Sequence, residues 1–493
     1  MTKRMEPVLP FELQTGRPAG RLTRNLHREL RTAILQRKLP SGYALPSTRR
    51  LAQALDVGRN TVITVYGLLV AEGYVEARRG ARFCVIGTSD KLPQRSRRTA
   101  SATPRETDTR IAISWRKPTP RLALATSLPA RSFRTGVPEN RFFDHATWRR
   151  LTARALREGA RAPFTYGPAH GLPALREAIA GHVAFARAVV CGPDDIVVTS
   201  GAQQAFDLLA RLLVAPGQTR VAVENPGFPP LRAALLAAGA RLVAVPVDGE
   251  GLRVDQIPDG VKVICVTPSH QSPTGAVMSR TRRIALLARA RELGASVIED
   301  DYDGEFLYDT RPQDALQMLD REARVFYVGT FSKSLFPALR KGFIVAPNWA
   351  RAALIDVKYS TDNHCDVLTQ ATLAAFLAEG HLARHIRRMR PIYSQRRNAL
   401  ASAIEEHLAR WFEVLPDPAG LHLTARILES AFAVDVVNVG LQHLPGALPL
   451  KPYTIGKPYL HGLCIGYGCV EVEQITRAVR EMGQALRRVR RCL

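Results

Sequence analysis

Five short apolar runs, Ile196–Thr199, Arg220–Val223, Val261–Val266, Ser296–Glu299 and Val325–Val328, recur through the middle of this chain, and the stretches between them carry the apolar spacing of amphipathic helices. That alternation limits the possible folds more than any other feature. Short β-branched runs suit strands buried on both faces, and intervening helices supply the crossovers that parallel strands need. The expectation is a mainly parallel α/β sheet covered by helices, within a zone spanning residues 130–493. After about residue 380 the pattern changes to a long basic helix followed by short strands, which predicts a small C-terminal α+β lobe.

The N-terminal zone, residues 1–86, has a different rhythm. Leu22, Leu26, Leu30, Ile34 and Leu35 fall at helical spacing, Ser47 can cap a second helix that Gly58 closes, and a third begins near Arg59-Asn60-Thr61 and turns Val62, Val65, Leu68 and Leu69 inward. Two short strands around Arg78-Arg79-Gly80 complete a winged helix-turn-helix with a β-wing. Between the two zones, residues 87–129 are dense in Thr, Ser, Pro, Arg and Lys and read as a flexible basic linker. The chain is therefore expected to be multidomain, and no internal repeat is evident.

The formal net charge of +25 arises from 69 basic residues, of which only ten are lysines. Such a balance favours a polyanionic partner, with nucleic acid first among the classes, although an arginine-rich coding bias would raise the charge as well. The seven cysteines show no paired spacing for zinc or redox work, and they read as reduced. Neither an apolar leader core nor an uninterrupted apolar run of about 18 residues occurs. These features predict a soluble cytoplasmic protein without a membrane partner.

Chemistry concentrates in Gly329-Thr330-Phe331-Ser332-Lys333-Ser334, with Arg340 seven positions beyond the lysine. A lysine amine among small hydroxyl residues and an arginine can close a Schiff base on an aldehyde cofactor while Thr330, Ser332 and Arg340 hold that cofactor's phosphate. Gly201-Ala202-Gln203 follows a strand and opens a helix, so its N–H groups would either meet a phosphate or simply start the helix. Asp300 lies at the end of an apolar strand, where a carboxylate is costly unless paired, and a protonated pyridine nitrogen is a suitable partner. Tyr302 points the same way by strand alternation. The remaining carboxylates of this stretch, Asp301, Asp303 and Glu305, read as solvated or structural groups, so no metal is expected. In the N-terminal zone, Ser47, Thr48 and Arg49 at the second helix and Arg59, Asn60 and Thr61 at the third stand where helix N-termini meet phosphates and the groove of double-stranded DNA. Arg78, Arg79 and Arg82 on the wing are placed to reach backbone or minor groove.

Taken together, Leu45-Pro46-Ser47-Thr48-Arg49, Arg59-Asn60-Thr61-Val62, Thr199-Ser200-Gly201-Ala202-Gln203-Gln204, Thr267-Pro268-Ser269-His270-Gln271, Glu299-Asp300-Asp301-Tyr302-Asp303 and the lysine segment resemble one family. Residues 20–86 look like a GntR-family DNA-binding domain and residues 130–493 like a fold-type I aminotransferase, a combination similar to the MocR-type subgroup of GntR transcription regulators. The resemblance implies pyridoxal 5'-phosphate on Lys333, with Asp300 at its ring nitrogen and Tyr302 and Ser272 at its phenolate oxygen. It further implies Phe228 stacked on the ring, and Gly201, Ala202, Gln203, Thr330, Ser332 and Arg340 at the phosphate. Tyr166 resembles the tyrosine that reaches the phosphate across a dimer interface, so a domain-swapped homodimer is implied.

Three positions depart from that pattern. Phe228 stands where MocR-type chains usually have tyrosine, and Ser272 stands where aminotransferases commonly have asparagine. In the C-terminal lobe, Leu463-Cys464-Ile465-Gly466-Tyr467-Gly468 offers no arginine to clamp a substrate carboxylate. The expected function is a promoter-binding regulator that senses pyridoxal phosphate, an amine or an amino acid, with at most weak transaminase activity. Its rival is a working aminotransferase that carries an accessory DNA-binding head.

Overall fold

The computed structural model describes residues 9, 22–78, 82–86, 109, 113–116, 132–160, 165–308, 314–429, 432–457 and 460–492. The chain divides into two compact units, Met1–Thr103 and Pro104–Leu493. Most of the expected linker, residues 87–129, lies outside the described residues.

In the smaller unit, helices Leu22–Leu35, Thr48–Leu55 and Arg59–Ala71 precede a two-stranded antiparallel sheet, Val75–Arg78 with Arg82–Val85. Leu26, Leu30, Leu51, Val62, Val65, Tyr66 and Leu69 are buried in one cluster, which the Tyr66 hydroxyl fixes by donating to Pro46 O at 2.9 Å. Three details differ from the sequence reading. Leu35 and Leu68 are exposed, because each sits one helical step off the buried stripe. The second helix is closed by Asp56 in the left-handed region (φ 51°), while Gly58 instead precedes the third helix as its N-cap. Aspartate tolerates that conformation because its short polar side chain can bond locally.

The larger unit is built on an eight-stranded sheet. Its strands run in the spatial order Ile196–Thr199, Gly342–Val345, Val325–Thr330, Ser296–Asp301, Val261–Val266, Arg220–Asn225, Arg241–Asp248 and Gly251–Leu252. Pairing is parallel from Val325–Thr330 through Arg241–Asp248, whereas Gly342–Val345 runs antiparallel to both of its neighbours. The strands at the centre are buried along nearly their whole length, with helices such as Ala202–Leu213, Pro229–Ala237 and Arg280–Leu293 supplying apolar faces. The long helix His381–Leu408 then leads into a four-stranded sheet, Phe412–Val414, His422–Ile427, Gly462–Gly466 and Leu448–Pro449, and Val472–Cys492 packs on the long helix. Among the described helices, none is long and apolar enough to cross a membrane.

Candidate functional site

In an open α/β sheet, loops leaving the carboxyl ends of the strands converge, and ligands gather there. Here those loops carry Gly201, Pro226–Phe228, Thr267–Gly275, Tyr302 and Ser332–Arg340. Except for Tyr166, which precedes the helix Pro173–Arg187, the residues singled out by sequence in the larger unit therefore come from five strand ends.

Lys333 follows the strand Val325–Thr330, and its Nζ donates to Gly136 O at 2.8 Å. Gly136 has φ +65°, and a Cβ there would lie 2.2 Å from Nζ, so no larger residue fits against the amine. Burial lowers the Lys333 pKa, while nearby Asp303 and Asp300 oppose that shift and Arg340 adds to it. The dominant cause is thus desolvation, with Arg340 a smaller contributor in the same direction.

Asp300 is only 3% exposed, and its Oδ1 has no hydrogen-bond partner. Its pKa is raised well above the ordinary carboxylate value by burial first, then by Asp301, Asp303 and Glu224. A buried acid with an open oxygen and no bonded cation is what a site for a protonated ring nitrogen looks like when read from the protein side. Glu224 is pushed up to about 7 by burial, although it accepts from Thr267 N, Thr267 Oγ1 and Gln271 Nε2.

A second group lies at the start of the helix Ala202–Leu213. Gly201 has φ +81° and caps the helix Ala202–Leu213 without a side-chain bond, and a Cβ on it would meet the Arg340 guanidinium nitrogens at 2.9 Å. Arg340 donates to Ser200 O at 2.6 Å, and the Thr330 hydroxyl donates to Ser332 Oγ at 3.0 Å. Helix N–H groups, a guanidinium and two hydroxyls are each groups that can bond a phosphate dianion. Gln203 turns its amide to Pro230 O, so its backbone is the part available to a ligand. The neighbouring Gln204, which sequence reasoning passed over, braces the loop by accepting from Ser200 N and donating to Asp362.

Phe228 begins the helix Pro229–Ala237, half-buried with its ring centroid 6.4 Å from that of Phe206. Ser272 is buried, its N–H donating to Thr267 Oγ1. Tyr166 is 80% exposed in the single chain. On the facing strand Gly462–Gly466, Cys464 stands opposite Thr424, and no arginine lies in that strand. Burial pushes the Cys464 thiol up to about 12, so it stays neutral.

The carboxylates after Asp300 are not solvated. Asp301 accepts from Arg187 Nε and the Tyr327 hydroxyl, both at 2.6 Å, and Asp303 bonds His270 Nδ1 at 2.9 Å. The hydroxyl of Tyr302 lies 3.0 Å from the same nitrogen. Sequence reasoning missed His270 as a hub because its partners stand 33 and 147 residues away.

In the smaller unit, the Ser47 hydroxyl accepts from Arg50 N at 3.2 Å and so is engaged as a cap. Arg59 Nε donates to Thr48 Oγ1 at 3.5 Å, which joins the starts of the second and third helices, and Arg49, Arg59 and Asn60 are exposed. Thr61 is half-buried. Arg78 and Arg82 face each other in strand register, whereas Arg79 lies outside the described residues.

Two family models match the chain: "Aminotransferase class I and II" over residues 137–443 and "Bacterial regulatory proteins, gntR family" over residues 22–85. The chain is 35% identical to the probable rhizopine catabolism regulatory protein MocR of Rhizobium meliloti, over 94% of this chain and 93% of the relative. It is 30% identical to the pyridoxine biosynthesis transcriptional regulator PdxR of Corynebacterium glutamicum, over 97% and 98%. Among solved structures it is similar to the kynurenine aminotransferase of Pyrococcus horikoshii, with TM-score 0.67 and 26% identity over 72% of this chain and 90% of that one. The α-aminoadipate aminotransferase LysN of Thermus thermophilus, solved with a phosphopyridoxyl-leucine, gives TM-score 0.67 and 27% identity over 73% and 93%.

Proposed function

The chain belongs to the MocR-type GntR transcription regulators, and we propose that its aminotransferase-like domain holds pyridoxal 5'-phosphate and senses either that cofactor or an amine or amino acid reacting with it. The observation that carries this reading is the unpartnered, buried Asp300 Oδ1, set in the same site as a desolvated lysine amine and a glycine-lined guanidinium cradle. Bound there, the cofactor would supply an aldehyde carbon electrophilic toward primary amines. In this proposal Lys333 holds the cofactor through its Nζ, Asp300 keeps a proton at the ring nitrogen, and Tyr302 and Ser272 face the phenolate oxygen. Phe228 covers the ring face through its apolar surface. The backbone of Gly201, Ala202 and Gln203 joins Thr330, Ser332 and Arg340 at the phosphate, and Tyr166 of a second chain completes the site in a domain-swapped homodimer. The exposure of Tyr166 in one chain supports that last assignment.

Two features favour sensing over turnover. The strand facing the site presents Cys464 and Thr424 in place of a carboxylate clamp, and the PdxR relative is by name a regulator of pyridoxine biosynthesis. Regulation then requires that the ligand prefer one arrangement of the chain over another. Affinity for DNA from the protein's own upstream region is expected to differ between cofactor-free and cofactor-loaded protein by about 1–3 kcal/mol, roughly 5- to 150-fold. Fluorescence anisotropy measures it, and DNA must shift ligand affinity by the same factor. Identical DNA affinity and footprint in both states, together with rapid transamination of a common amino acid, would instead establish the enzyme with an accessory head.

On the DNA side, Ser47, Thr48, Arg49, Arg59, Asn60 and Thr61, with wing residues Arg78, Arg79 and Arg82, form the proposed contact surface. Arg59→Ala is expected to weaken DNA binding without altering cofactor loading. A phosphate contact would lower affinity on every sequence and reduce the salt slope by about one, while a base contact would cost roughly 1–3 kcal/mol and relax sequence preference. Equal binding by variant and native protein in a salt-titrated gel shift removes Arg59 from the surface.

A further inference from the structure

Behind Tyr302 lies a group of buried side chains that the reading above does not use. His270, Asp417 and His422 each offer a ligand atom, and these atoms lie within 4.8 Å of one another. All three residues are at least nine-tenths buried. His270 Nε2 bonds Asp417 Oδ1 at 2.9 Å, and its other nitrogen faces Asp303 at 2.9 Å. The His422 ring is hydrogen-bonded to the backbone of Pro273, and its Nε2 has no partner. Asp417 Oδ2 has none either, although Oδ1 also accepts from Ala419 N.

Two buried acceptors left without a donor are a deficit that a cation would remove. One His422 nitrogen is engaged with Pro273, which leaves Nε2 as the nitrogen available to a ligand. The arrangement also has the outer support of a metal centre. Asp303 orients His270 through Nδ1, and Pro273 orients the His422 ring through its other nitrogen. Gly420 lies so close behind His270 that a Cβ there would come within 2.3 Å of Cε1, which fixes the ring from the far side.

We propose that His270, Asp417 and His422 form a binding site for a divalent transition-metal ion of the zinc class. Two imidazoles and one carboxylate are a donor set that zinc accepts, and three protein ligands leave a fourth position for water or another donor. Coordination at about 2.0–2.2 Å sets ligand–ligand separations of roughly 3.3 Å, so the wider pairs close while His270 Nε2 and Asp417 Oδ1, 2.9 Å apart, separate slightly. Because the Tyr302 hydroxyl lies 3.0 Å from His270 Nδ1, occupancy would also alter the surroundings of a residue assigned to the cofactor. The site lies apart from the sequence expectation, which weighed only the Asp301, Asp303 and Glu305 carboxylates as ligands.

The test uses full-length, tag-free protein dialysed against a chelator and titrated with Zn2+ by calorimetry and with Co2+ by visible absorption. One equivalent per chain is expected, with affinity at least tenfold lower in His422→Gln and Asp417→Asn. Asp303→Asn, which leaves the ligands in place, is expected to weaken binding by about 10- to 100-fold. Absence of uptake overturns the proposal, as does uptake unchanged by His422→Gln in a variant whose circular dichroism melt is native. X-ray absorption on the zinc-loaded native protein decides without any variant. A nitrogen and oxygen shell with two imidazoles supports the site, and a sulfur shell places the metal elsewhere.

Discussion

Lys333→Ala is expected to abolish covalent retention of pyridoxal phosphate. Native protein treated with borohydride should yield one pyridoxyl-modified peptide by mass spectrometry, containing Lys333, and the variant should yield none. The size of the effect follows from how few amines are placed to substitute. Lys358 is fully buried and paired with Asp362, and Lys341, though buried, belongs to the strand pairing beyond the cradle, where its carbonyl accepts from Phe331 N. Neither shares the Gly136 pocket in which the Lys333 amine is desolvated. A reducible adduct surviving in the variant would move the attachment point and remove the central assignment of the proposed function. Loss of the adduct leaves the phosphate cradle intact, so weak noncovalent binding should persist, which calorimetry with pyridoxal phosphate can detect.

The legible part of this fold follows from which residues are buried on both sides. Val261–Val266 and Val325–Thr330 announce themselves as apolar runs because helices cover both of their faces. Arg241–Asp248 was passed over because it lies near the sheet edge, where most of its residues stay partly or fully exposed and a polar pattern results. Gly342–Val345 is four residues long and follows the lysine loop almost directly, and its antiparallel direction depends on that loop turning back after Arg340. The lysine segment, Asp300 and the glycine at the helix start were readable because each is tied to a chemistry by its immediate neighbours. His270, Asp303, Asp417 and His422 were not, since their meaning comes from contacts between segments far apart in the chain. The same holds for Gly136, which reads as an ordinary turn glycine until the Lys333 amine is seen against it.

Asp300→Asn is expected to move two measurements in opposite directions. In cofactor-free protein the Asp300 pKa is raised by burial and by three neighbouring carboxyl groups, with only Lys333 opposing the shift. An acid whose folded pKa exceeds its unfolded value contributes its stability at low pH and loses it as pH rises through the folded value. Cofactor-free native protein should therefore lose stability as pH rises above the ordinary aspartate range, near 4. The asparagine variant, with no charge to bury, should lack that loss and melt higher near pH 8. Cofactor retention should change in the other sense. A hydrogen bond to a charged group is worth about 1.5–3 kcal/mol, so removing the charged partner of the ring nitrogen should weaken pyridoxal phosphate binding roughly 10- to 150-fold. A fold defect would lower both quantities together, and an uninvolved aspartate would change neither. Only a buried acid kept for a cationic ring nitrogen gives a more stable empty protein that binds its cofactor less well, so thermal melts across pH and cofactor titrations on the same two proteins decide the assignment.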